Sequence, residues 1–141
     1  MITTLTCMAV AIYFEARSEP IDGQMLVAET ILNRVADERW PDTACEVVKQ
    51  PHQFSFYSDG KSDTPRNAEA YATALEVAAI ALSGEHLWSG ALYYHTTDVR
   101  PVWRHDLQPI GVVGSHIFYA NTKDCRLPTC SLRPVLRPSR D

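Results

Sequence analysis

No cluster of lysine and arginine interrupts this sequence, and its charge balance is acidic: 13 Lys and Arg stand against 17 Asp and Glu, a formal net charge of −4 over 141 residues. The basic footprint of a nucleic-acid-binding surface is therefore missing, and so is any long-range attraction to anionic polymers. A groove for a largely uncharged glycan remains compatible with that balance. Long apolar runs are also lacking. The longest falls far short of the roughly 20 residues that span a bilayer, so no membrane span is expected. The N-terminus shows neither a basic n-region nor a clear small-residue cleavage site, and the sequence reading expects no signal peptide. Internal repeats and low-complexity segments are absent. With 45% hydrophobic and 21% charged residues, the length suits one compact domain with its own core.

Cysteine is scarce but even in number: Cys7, Cys45, Cys125 and Cys130. Three disulfide pairings are possible, and spacing does not choose among them. We expect Cys7 with Cys45, tying the opening helix to the third, and Cys125 with Cys130, closing a short loop. No C-x-x-C occurs and no histidine stands at helical spacing from a cysteine, which disfavours a zinc site. His95 and His116 lack a convincing set of co-ligands. No metal and no cofactor are expected.

Apolar residues recur at three-and-four spacing in three long segments. Leu5, Met8, Ala9, Ile12, Tyr13 and Ala16 give a first helix, capped by Thr4 or Thr6. Ser18-Glu19-Pro20 breaks it, and Ser18 is a candidate cap for a second helix running to about Asp37 or Glu38 along Ile21, Met25, Ala28, Ile31, Leu32 and Val35. Gly23 within it points to close packing against the first helix. A short third helix spans Ala44 to Lys49, capped by Asp42 or Thr43. A fourth runs from an Asn67 cap to about Ser83, ended by Gly84. Ala91 to Thr96 and His116 to Ala120 read as strands, with Gly111 to Ser115 as a turn-rich link. The expected class is mainly α with a small β-hairpin or sheet. Residues 122–141, rich in proline and arginine, read as an irregular tail after a domain of residues 1–121.

Glu15 is the first carboxylate of the chain, after an uncharged run from Leu5 to Phe14. It sits at the rim of an apolar segment, just before a helix end. Burial there disfavours the charged form and lets a carboxyl hold its proton near neutral pH, as a general acid must. The plain alternative is an ion pair with Arg17 or Arg34. Gln24, one turn into the second helix, can face Glu15. Gln53, Ser55, Tyr93, Tyr94 and His95 supply amides, hydroxyls and ring faces suited to a sugar groove, and each serves equally well as a structural bond or core contact.

The run Tyr13-Phe14-Glu15-Ala16-Arg17-Ser18-Glu19-Pro20, with Gly23-Gln24 and Leu32-Asn33-Arg34-Val35, resembles the SleB-type cell wall hydrolases, which include spore cortex-lytic enzymes and phage lysins. Further blocks continue the resemblance: Pro41-Asp42-Thr43, Gln50-Pro51, Gln53-Phe54-Ser55, Gly90-Ala91, Tyr93-Tyr94-His95 and Gly114-Ser115-His116-Ile117-Phe118-Tyr119. They cover nearly all of the chain up to about Asn121. Ser18 departs from the family's usual glycine. The resemblance implies a lysozyme-like fold of the α+β kind, and cleavage of the β-1,4 bond between N-acetylmuramic acid and N-acetylglucosamine. It also implies Glu15 as the catalytic acid and later base.

Ordinary glycosidases place two carboxyl groups about the bond. Glu15 has no evident second, the candidates being Glu19, Glu29 and Asp59. A lytic transglycosylase needs none, because the sugar's own hydroxyl attacks, and this is the favoured expectation. The alternatives are a muramidase that uses a second carboxylate and a non-catalytic peptidoglycan-binding module. The expected partner is the peptidoglycan glycan strand, with the protein a monomer at the bacterial cell wall. The single domain without a wall-binding repeat fits a phage endolysin or an excised catalytic domain.

Overall fold

A computed structural model describes residues 3–50, 64–84 and 89–121. In the order of the chain, the described elements are α1 (Thr4–Ala16), α2 (Ile21–Val35), α3 (Ala44–Lys49), α4 (Ala68–Leu82), β1 (Tyr93–Thr96), a 3-10 helix (Val102–Asp106), β2 (Leu107–Val113) and β3 (His116–Asn121). The tail beyond Asn121, with Cys125 and Cys130, lies outside the described residues, as do Gln53, Ser55 and Asp59.

The central element is α1. Cys7, Met8, Ala9, Ala11, Ile12, Tyr13 and Ala16 are all buried, and the helix packs against α2, α3 and α4. Its cap is Thr3 rather than Thr4 or Thr6: the Thr3 hydroxyl accepts from the Thr6 N–H at 3.1 Å, which satisfies one of the first-turn donors. The disulfide Cys7–Cys45 fastens α1 to α3, with Cα atoms 5.2 Å apart. At the far end the Tyr13 hydroxyl accepts from the N–H groups of Arg66 and Asn67 at 3.2 and 3.0 Å. That anchors the start of α4, whose Asn67 cap accepts from the Ala70 N–H at 3.0 Å.

The α1–α2 corner is tight. The Glu19 N–H bonds the Ala16 carbonyl at 2.9 Å, and Pro20 itself stands at the cap position of α2 with no side-chain cap bond. Ser18 is two residues too early to reach the free N–H groups of α2. The second helix stops at Val35, short of the expected end. There Asp37 turns the chain by accepting from the Arg39 backbone N–H at 2.9 Å and from its guanidinium at 2.8 and 2.6 Å. Gly23 allows close approach, as expected, but to different neighbours. A Cβ at Gly23 would lie 3.3 Å from the Glu19 Cβ and 3.5 Å from Val113 of β2.

The sheet has three antiparallel strands in the order β1-β3-β2. The sequence reading missed β2, because Pro109 and Gly111 disguise it; the ladder slips its register between these two residues. The expected link over Gly111 to Ser115 shrinks to the two-residue turn Gly114-Ser115. β1 also begins later than expected, at Tyr93. The carbonyls of Ala91 and Leu92 instead take hydrogen bonds from Asn33 Nδ2 at 2.8 Å and Arg34 Nε at 2.7 Å. These two bonds fasten the mouth of the sheet to the end of α2. Among the described residues no helix is long and apolar enough to cross a membrane.

Candidate active site

Glu15 stands in the last turn of α1, half-buried. Strand β1 brings Tyr94 to it: the phenol donates to Glu15 Oε1 at 2.6 Å. Successive strand residues face opposite sides, and Tyr94 takes the side toward the helices. Its ring centroid lies 5.0 Å from that of His116 and 5.4 Å from that of Phe118, both on β3.

Burial is the largest influence on Glu15 and raises its pKa above the ordinary value of 4.5, while the Tyr94 hydrogen bond and the charge of Arg34 pull it partly back. Tyr94 is pushed well above the usual phenol range, first by burial and then by the negative charge and hydrogen bond of Glu15. It is therefore a proton-holding donor at any working pH. Arg34 is buried beneath this pair. Its guanidinium lies 5.4 Å from the Trp40 ring centre and 5.6 Å from that of Tyr93, a cation held by aromatic faces and a carbonyl. Arg17, the other candidate partner for Glu15, lies over the Tyr13 ring at 4.8 Å. The result is a carboxyl whose pKa burial raises, steadied by one phenol and a nearby positive charge.

Residues 18–119 match the family described as Cell Wall Hydrolase. The chain belongs to that family. It is 37% identical over 112 residues to the spore cortex-lytic enzyme of Oceanobacillus iheyensis, covering 79% of this chain and 39% of that protein. It is 36% identical over the same length to the spore cortex-lytic enzyme of Bacillus cereus, covering 79% and 42%. The chain thus spans about two fifths of the length of these relatives. Among solved structures it is similar to the catalytic domain of the germination-specific lytic transglycosylase SleB from Bacillus anthracis. That likeness has a TM-score of 0.71 at 35% identity, covering 82% of this chain and 93% of the other.

Within this Cell Wall Hydrolase domain, the predicted site residues separate. Glu15 and Tyr94 meet. Gln24 turns instead to the corner: its Nε2 donates to the Glu19 carbonyl at 3.2 Å, and its buried Oε1 finds no partner among the described residues. Tyr93 points to the other side of the sheet, into an aromatic cluster with Trp40 at 5.6 Å and Trp103 at 5.8 Å. His95 shares that side, stacked on Tyr119 at 5.3 Å. Both its ring nitrogens are engaged, Nδ1 with the Thr96 carbonyl at 2.7 Å and Nε2 with the Tyr119 hydroxyl at 2.8 Å.

The two described candidates for a second carboxylate are both committed elsewhere. Glu29 is fully buried. It accepts from the Ser89 backbone N–H and from its hydroxyl, the latter at 2.6 Å. Glu19 accepts from the Ser115 N–H at 2.8 Å and from the Ser115 hydroxyl at 2.5 Å. Burial acts to raise the Glu19 pKa, but these bonds and the nearby His116 outweigh it and bring it below the ordinary value. Arg34 was named as a partner for Glu15, and its charge does act there, but sequence reasoning missed the part played by Ser115. Its signal was present: a Gly-Ser turn preceding the strand at His116.

Proposed function

We propose that this domain is a lytic transglycosylase that cleaves the β-1,4 bond between N-acetylmuramic acid and N-acetylglucosamine in peptidoglycan, with Glu15 as its single catalytic carboxyl group. The observation that carries this reading is the pairing of a half-buried Glu15, its pKa raised by burial, with Tyr94, while Glu19 and Glu29 are spent on hydrogen bonds within the scaffold. The printed description of the SleB catalytic domain as a lytic transglycosylase supports it.

Glu15 gives its proton to the glycosidic oxygen as the bond to the muramic C1 breaks. The resulting carboxylate then takes the proton of the muramic C6 hydroxyl as that oxygen attacks C1. The products are a free N-acetylglucosamine 4-hydroxyl and a 1,6-anhydro-muramic end, no water is consumed, and Glu15 is returned protonated. Tyr94 holds the carboxyl in place and stabilises its charged form between the two transfers. Gln53 and Ser55 are proposed to contact the glycan, while Gln24, Tyr93 and His95, turned away from Glu15, are proposed to act only through the scaffold. Residues 1–121 form the catalytic unit and 122–141 a tail. The protein works as a monomer on bacterial wall or spore cortex glycan.

The test is mass spectrometry of soluble products from purified peptidoglycan, with wild type and Glu15→Gln in parallel. Anhydro-muropeptides from wild type alone are expected. Reducing-end muropeptides would refute transglycosylation and point to Asp59 as the second carboxylate. Binding to sacculi without products would leave a binding module.

A further inference from the structure

The helix corner and the sheet touch at two polar points. One is Glu15 with Tyr94, at 2.6 Å. The other, one turn further along the chain, is Glu19 with Ser115, where each carboxylate oxygen takes one donor: Oε1 the backbone N–H at 2.8 Å and Oε2 the hydroxyl at 2.5 Å. We propose that Glu19 is a positioning residue for the reaction: by clamping the β2–β3 turn to the α1–α2 corner, it fixes the sheet so that Tyr94 meets Glu15.

Three further observations support this. First, the corner is rigid at Glu19 itself, whose N–H bonds the Ala16 carbonyl at 2.9 Å and whose carbonyl takes Gln24 Nε2 at 3.2 Å. Second, the turn is shaped to receive the carboxylate. Gly114 has φ +60°, and a Cβ there would run into Glu19 Oε1 and lie 2.9 Å from Pro20 Cδ. Third, the path from clamp to acid is short. His116 follows Ser115 directly, lies with Nδ1 3.9 Å from Glu19 Oε1, and sets its ring edge against Tyr94 at 5.0 Å between centroids. The Asn33 and Arg34 bonds hold the sheet where it begins; the Glu19 clamp ties its other end, at the β2–β3 turn, and so sets its angle. This inference rests on Glu15 as the acid, but not on which product it makes.

The chemistry separates a clamp from a second catalytic carboxylate. In Glu19→Gln the amide oxygen still accepts the Ser115 N–H and the amide nitrogen can donate to the hydroxyl, so a clamp survives; a general base does not. We expect Glu19→Gln to keep kcat within about threefold of wild type. Glu19→Ala should lose about 10- to 100-fold in kcat with KM nearly unchanged, the scale of a reacting group displaced by about 1 Å. Ser115→Ala, which keeps the backbone donor, should fall between them.

Because the Tyr94 bond favours the charged form of Glu15, loosening it in Glu19→Ala should move the basic limb of the pH–rate profile upward. Tyr94→Phe should reproduce that shift, and adding Glu19→Ala to Tyr94→Phe should cost little more. If Glu19→Ala does not fold, Ser115→Ala and Glu19→Gln carry the decision. Folded Glu19→Gln as inactive as Glu15→Gln would overturn the clamp in favour of a base. Fully additive losses in the double variant, or an unshifted profile in Ser115→Ala and Glu19→Ala, would overturn the route through Tyr94. An active Glu15→Gln would instead refute the assignment of the acid, a separate outcome read from a different variant.

Discussion

Replacing Cys7 and Cys45 together by alanine should cost stability while sparing catalysis. The bridge joins residues separated by 38 positions. Closing a loop of that length removes enough freedom from the unfolded chain to contribute about 4 kcal/mol at 25 °C. Cys7 is buried, and truncating it to alanine adds at most about 1 kcal/mol for the small hole left behind. For a chain of this size the sum corresponds to a fall of about 14–17 °C in Tm. Cys7 and Glu15 are eight residues apart on α1, about 12 Å along its axis at 1.5 Å per residue. The Tyr94 bond and the Glu19 clamp sit at the other end, so kcat measured well below the new Tm should match wild type. Guanidinium chloride unfolding of both proteins gives the midpoint and slope that decide the matter. A loss under about 1 kcal/mol with unchanged slope would contradict the loop-closure argument. A large drop in kcat at low temperature would show that the bridge shapes the site, against the separation drawn here.

Other outcomes follow from titration and from the turn. The folded pKa of Glu15 is raised above 4.5, so its contribution is fully present below that pH and is lost as pH rises through the folded value. Glu15→Gln should therefore be more stable than wild type at pH 7, with the gain gone near pH 4, as read by denaturant midpoints at the two pH values. His116 is lowered from 6.5, chiefly by burial; the unfolded chain binds that proton first, and stability should fall as pH drops below about 6.5. Exchanging His116 for asparagine should flatten that part of the pH–stability curve. Gly114→Ala forces a side chain into left-handed backbone, at about 1–2 kcal/mol, and drives a methyl group against Glu19. Its Tm and kcat should both fall, and an unchanged kcat would count against the clamp.

Much of the helical part was legible in the sequence because its determinants are local. Thr43 and Asn67 cap α3 and α4 as their spacing suggested, and the stripes of α1 and α2 face the core, except that Ile21 at the start of α2 is exposed. What escaped depended on partners far away in sequence. β2 carries a proline and a glycine that speak against a strand, yet pairing with β3 overrides them. Tyr93 and Tyr94 are equivalent on paper; which one faces the acid depends on the phase of the strand, and a shift of one residue would exchange them. Glu29 looks like a surface residue of a helix until Ser89, 60 positions later, covers it. Gln24 was legible as a polar group near the corner, but not as one turned toward the Glu19 carbonyl. The half-buried setting of Glu15 was the most legible feature of the candidate site, since it is made by the apolar residues just before it.

The place of Glu15 on its helix has a consequence in chain polarity. α1 runs from Thr4 to Ala16 and carries no basic residue in its last turn. Its carboxyl therefore lies where the aligned peptide dipoles leave a partial negative charge, an effect of about 0.3–1 kcal/mol per charged group. That field opposes ionisation in the same direction as burial. Chain direction thus helps to keep the acid protonated without any additional residue. A design that carried the same Glu–Tyr pair on a helix of reversed direction would place the carboxyl at the positive end, lower its pKa, and leave it protonated less of the time, a poorer general acid from identical side chains.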